Sequence, residues 1–185
     1  MPPEDPPGIL QKTGNYRELL SYRKAEVVYD CTFRFCEKFL QRGDRTIDQM
    51  VQAARSGKQN IVEGSQASGT SKATELKLTG VARASFAELE EDYADFLRTR
   101  QLLRWPPEHR YAVRLRELNR TPGANYATFQ RGIESQTPEI AANVLLGLVR
   151  VTCYLLDQQL RALEKTFLQE GGIRERMSRA RRQNR

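Results

Sequence analysis

The sequence predicts an all-α fold: an antiparallel, up-down four-helix bundle with a short helical insert between helices 3 and 4 and a basic C-terminal tail. Three observations lead there. The eight prolines fall at positions 2, 3, 6, 7, 106, 107, 122 and 138, so 8–105 and 139–185 are free of them. Proline costs about 3 kcal/mol inside a helix, and two long proline-free tracts therefore suit long helices. Within those tracts apolar residues recur at three- and four-residue steps, the period of one helix face, and strand-like alternation is absent. At 185 residues, with 39% hydrophobic and 29% charged, the chain suits one domain with a packed core.

Taken in order, the Pro-rich residues 1–15 read as a flexible leader without the apolar stretch of a signal peptide. The first helix is expected from Tyr16 to Leu40 on a stripe of Val28, Cys31, Phe35 and Phe39, broken by Gly43 and Asp44. The second starts at Thr46, whose hydroxyl caps the backbone while Gln49 reaches back. Its stripe is Ile47, Met50, Val51, Ala54 and Ile61, and Gly64 is expected to end it in a left-handed conformation. Asn60 is expected to bond across the bundle, and Glu63 to accept from the next helix's amides. Ser-Gly-Thr-Ser at 68–71 supplies a turn and a cap for the third helix, which carries Leu78, Ala82, Ser85, Phe86, Leu89, Tyr93, Phe96 and Leu103 and ends at Pro106.

The insert spans 105–136. Tyr111, Leu115 and Leu118 line a short amphipathic helix closed by Thr121-Pro122-Gly123, and the stretch to Gln136 reads as irregular. The fourth helix is announced by Thr137 as cap, Pro138 at the first position and Glu139 in the first turn. It runs through Val144, Leu148, Val151, Leu155 and Leu163 to Phe167 and stops at Gly171-Gly172. The bundle domain is thus 16–172, followed by the tail 173–185.

Residue counts exclude much chemistry. One histidine, His109, leaves no two-His zinc motif, and it reads as a solvated residue in a short basic segment. Cys31, Cys36 and Cys153 are odd in number, lack CxxC spacing and fall among apolar residues, as buried free thiols of a cytoplasmic protein would. Asn143, Arg150 and Thr152 interrupt the apolar run Ile140–Leu156, so no membrane span is expected. Glu88, Glu90, Glu91, Asp92 and Asp95 crowd the third helix, but a di-metal bundle site needs Glu-x-x-His pairs, and a solvated face pairing with arginines is the expectation. Neither a GxSxG elbow nor a P-loop is present. No enzyme activity and no cofactor are expected.

Charge is informative where it is concentrated. The chain carries +7, and 173–185 hold Arg174, Arg176, Arg179, Arg181, Arg182 and Arg185 against Glu175 alone, a net +5. Six guanidinium groups and no lysine suit phosphate, giving salt-sensitive affinity with little sequence information. Arg110 and Arg114, with Arg116 and Arg120, are expected to extend that patch. No aromatic interleaving suggests base stacking, which favours backbone contacts to RNA or DNA. The alternative is a protein–protein scaffold whose tail docks on an acidic partner or a neighbouring subunit.

The segment Gln52–Ser65, ending Asn60-Ile61-Val62-Glu63-Gly64, and Gly80–Leu89, with Ala82, Ser85, Glu88 and Leu89, resemble the four-helix-bundle proteins encoded by intervening sequences of bacterial 23S ribosomal RNA genes. Leu155–Leu160 and Gly171–Met177 further resemble a subgroup, the four helix bundle suffix domain proteins; the insert 105–136 and the arginine tail are additions to the short members. The resemblance implies a homo-oligomer, a pentamer of up-down bundles. A related group, the accessory proteins of diversity-generating retroelements, are basic pentamers that bind nucleic acid and a reverse transcriptase. By that likeness the chain is expected to be a non-enzymatic accessory protein that binds nucleic acid.

Overall fold

Seven α-helices and one 3₁₀ turn make up the regular structure, with no strand among the described residues, which in this computed structural model are 14–135 and 137–183. The helices are α1 (Leu20–Phe39), α2 (Arg45–Ala67), α3 (Lys72–Thr99), α4 (Arg110–Arg120), α5 (Tyr126–Ile133), α6 (Pro138–Glu170) and α7 (Ile173–Gln183). Nearly all of the expected leader, 1–13, lies outside the described residues.

Local chemistry moves several of the expected boundaries. Tyr16–Glu18 form the 3₁₀ turn, with the Asn15 side chain accepting from the Arg17 N–H, so α1 begins only at Leu20. The cap of α2 is Asp44 rather than Thr46: its carboxylate accepts from the Thr46 N–H at 2.9 Å, and that bond lowers its pKa. A charged acceptor suits the positive end of a helix better than a hydroxyl does.

Gly64 does not end α2, which continues three residues further to Ala67. Gly64 is buried facing α3, where a Cβ would stand 3.4 Å from both the Glu75 carbonyl and the Leu78 Cβ, an ordinary contact distance. Ser71 caps α3 as expected, accepting from the Thr74 N–H at 3.2 Å. The helix stops at Thr99, well before Pro106, because Gln101 takes φ 55° and the Leu102 and Gln101 amides return to the Leu97 and Arg98 carbonyls. Residues 126–133 are helix, not irregular chain, started by a reciprocal Asn125–Thr128 capping box. Pro138 opens α6, although Thr137 makes no side-chain cap bond.

Among the four longest helices, α1 and α3 each pack on both α2 and α6. Phe35 of α1 meets Tyr93 and Phe96 of α3 edge-on at 5.2 and 4.9 Å. Tyr93 is fully buried and its hydroxyl donates to Thr32 Oγ1 at 2.9 Å, satisfying the one polar atom it takes into the core. The three cysteines are buried and free; burial pushes the Cys153 thiol up to about 11 and the Cys36 thiol to about 12.

The insert helices α4 and α5 both lie on α6. With α1 and α3 also against it, α6 is covered on several sides over its N-terminal half, where 141–146, 148 and 149 are all buried. A helix apolar nearly all round is what such a position requires. By length and composition α6 is the one described helix apolar enough to cross a membrane, and most of its apolar window is buried by its neighbours.

Candidate nucleic-acid interface

The basic insert is stitched to the first turns of α6. The Trp105 N–H donates to Asn143 Oδ1 at 2.8 Å, and Asn143 Nδ2 donates to the Leu103 and Glu139 carbonyls at 2.8 and 2.9 Å. Asn143 is buried, and this full set of bonds satisfies it while anchoring an otherwise irregular loop. Held there, Trp105 stacks on His109 with ring centroids 4.9 Å apart and planes 17° apart. His109 is half-buried rather than solvated, and its Nδ1 accepts from the Tyr111 N–H at 3.3 Å, capping α4. Tyr111 lies 5.3 Å from Trp105, and the Arg110 guanidinium sits 4.6 Å over its ring.

Two lysines of α1 fasten the other ends of the insert. Lys24 Nζ donates to the Asn119 carbonyl and Oδ1 at 3.0 and 3.1 Å in the last turn of α4. Lys38 Nζ donates to the Glu134 carbonyl at 2.6 Å at the end of α5. Cations belong at these negative helix ends, and burial of Lys24 lowers its pKa. On the inner side of α4, Leu115 presses on Gly147 of α6, where a Cβ would overlap its side chain.

The outer side of α4 is then basic. Arg110, Arg114, Arg116 and Arg120 are all exposed, as is Arg131 on α5. Arg114 pairs with Glu117 at 2.8 Å, both largely solvated, an interaction worth about 0–1 kcal/mol. Among the described residues, Arg116, Arg120 and Arg131 form no ion pair.

The tail is a helix. Gly171 at φ 73° ends α6, and Arg174, Arg176, Arg179, Arg181 and Arg182 follow on α7. Arg181 and Arg182 are exposed; Arg185 lies outside the described residues. Helical register spreads positions 174, 176, 179, 181 and 182 over roughly two thirds of the circumference of α7. An extension of this patch onto Arg110 and Arg114 has the C-terminal half of α6 to bridge. The pocket between α4 and α6 is lined on the α6 side by residues from Asn143 to Val151. At 1.5 Å per residue, α7 begins about 33 Å further along the chain than Val151. The two groups of arginines are carried by different helices, α4 and α7.

Of the motif residues of α2 and α3, Gly64 and Ser85 are buried. Asn60 Nδ2 donates to the Ser56 carbonyl and Oγ at 2.9 and 3.3 Å on its own helix, not across the bundle. The bridge from α2 to α3 is instead Ser56 Oγ to Ser85 Oγ at 3.1 Å. Glu63 and Glu88 are exposed. On the acidic side of α3, Glu90 meets Arg150 at 2.8 Å and Asp95 meets Arg98 at 2.7 Å. Burial, together with Glu88 and Asp95, raises the Asp92 pKa.

Sequence reasoning missed the aromatic group of the insert. The signal was present, since Trp105, His109 and Tyr111 interleave with Arg110 and Arg114. No protein-family model, curated protein or solved structure matches the chain. The resemblance of α2 and α3 therefore stands on their own motif residues.

Proposed function

We propose that this protein is a non-enzymatic accessory protein that binds the phosphate backbone of RNA or DNA, built on an up-down bundle of α1, α2, α3 and α6. The carrying observation is charge placement: five of the seven net positive charges belong to 173–185, most of which is the helix α7. A short helix with arginines over much of its surface meets phosphates from several directions, and guanidinium groups bond phosphate bidentately. The exposed arginines of α4 supply a second, sparser phosphate surface. Assembly into a homo-oligomer, a pentamer by the resemblance of α2 and α3, would repeat both surfaces and multiply weak contacts by avidity. A reverse transcriptase is the protein partner that the same resemblance suggests.

The test is the salt dependence of oligonucleotide binding by the full chain and by a variant with glutamine at all six tail arginines. Six neutralised phosphates correspond to a log–log slope near −5 on duplex DNA, and the variant loses most of it. Equal binding and equal slope for the two proteins would overturn the reading. If neither protein binds, and the variant alone loses its oligomeric state, the tail is an assembly element instead.

A further inference from the structure

We infer that the cleft between α4 and α5 takes an unpaired base of single-stranded nucleic acid, with flanking phosphates on Arg114 and Arg131. This rests on the nucleic-acid reading above and adds the class of strand and the place where a base is received.

Both insert helices lie on α6 but stand apart, leaving a cleft of about 590 Å³ between them. Its floor is apolar: Leu115, Phe129 and Val144 are buried there. One wall is aromatic, formed by Trp105 and by Tyr111, which is 40% exposed. Arg114 and Arg131 stand on the rim, both exposed, and no carboxylate lines the space. Arg131 has no ion pair among the described residues, and the solvated Glu117 releases Arg114 at little cost.

These features select a ligand class. The volume falls within the roughly 300–1,000 Å³ of ordinary small-ligand pockets. An apolar floor rewards a group that sheds water, the half-exposed ring rewards a flat one, and the paired rim cations reward negative charge on either side of it. An unpaired nucleobase between two phosphates meets all three requirements, and base–aromatic stacking tolerates any base. A paired base does not, because its faces are already stacked within the duplex.

Trp105 is the only tryptophan in the chain, so its fluorescence reports on this wall alone. The full chain would be titrated with a short single-stranded oligonucleotide and with its duplex, following Trp105 emission and the anisotropy of labelled nucleic acid. The expected result is quenching by the single strand, weak or no quenching by the duplex, and tighter single-strand binding. The double variant Tyr111→Ala, Arg131→Gln should bind the single strand about ten-fold more weakly and the duplex within about two-fold. Tyr111→Phe keeps the ring and should bind like the parent, which separates stacking from folding. Glutamine at the six tail arginines should weaken both forms alike.

Equal losses for single strand and duplex, unchanged Trp105 emission, or quenching by polyglutamate in place of nucleic acid would each overturn the inference while leaving tail binding intact. Failure of the parent protein to bind either form at low salt would overturn the nucleic-acid reading as well.

Discussion

The two arginine-bearing helices of this protein, α4 and α7, differ in what holds them. α4 is held on three sides: Leu115 against Gly147, Lys24 at its last turn, and Trp105 with His109 at its start. α7 follows a glycine pair at the end of α6 and carries the greater charge. Density of charge favours strength without selectivity, whereas arginines fixed beside aromatic rings have a defined geometry in which to discriminate. The comparison teaches that net charge and site quality reside in different parts of one chain.

The largest expected effect breaks the better-held region. Leu115→Ala removes the side chain that seats α4 on α6 and should cost about 2–4 kcal/mol, measured by thermal or denaturant unfolding. Trp105 emission should shift to the red as its surroundings open, while tail-dependent duplex binding persists in the folded fraction. Next comes the tail: glutamine at all six arginines should lower duplex affinity about a hundred-fold near physiological salt with little change in unfolding temperature, read by anisotropy against salt.

A smaller perturbation sharpens the same contrast. Gly147→Ala places a Cβ on Leu115 and should cost about 1–3 kcal/mol, with helix content by circular dichroism falling little, because only α4 is displaced. Arg116→Gln with Arg120→Gln touches no ion pair among the described residues and should reduce the salt slope by about one for each arginine that meets a phosphate. Smallest of all, Glu117→Gln removes the exposed partner of Arg114; stability should change by less than about 1 kcal/mol, and nucleic-acid affinity should rise slightly. Independently, the solution mass of the parent should be near five times the 21.3 kDa of one chain if the pentamer implied by the resemblance forms.

Helices were legible wherever a stripe and a boundary signal agreed. Ser71 as a cap, Pro138 at a first position and Gly171 at a stop were all read from residue type, because each acts through its own backbone neighbours. Residues 126–133 were missed although Tyr126, Phe129 and Ile133 have helical spacing, since eight residues hold too few turns for a pattern to stand out. Gly64 misled for a different reason. Glycine often ends a helix, but here α2 runs on to Ala67 and Gly64 lies buried against α3, which residue type alone does not tell.

What the amino-acid sequence determined by itself is therefore local or summed. Helical periodicity, proline placement, the apolar character of the three cysteines and the position of the charge excess need no knowledge of distant contacts. Tertiary structure alone decided what depends on residues far apart. It buried 141–146, 148 and 149 by setting α1, α3, α4 and α5 around one helix. Asn143 met Trp105 across 38 positions of sequence, and Lys24 met Asn119 across 95. The same fold runs α6 on for about 29 Å past Val151 before the arginines of α7 begin. It also opened a cleft between α4 and α5, because a cleft is the space that packing leaves, and no single residue encodes it.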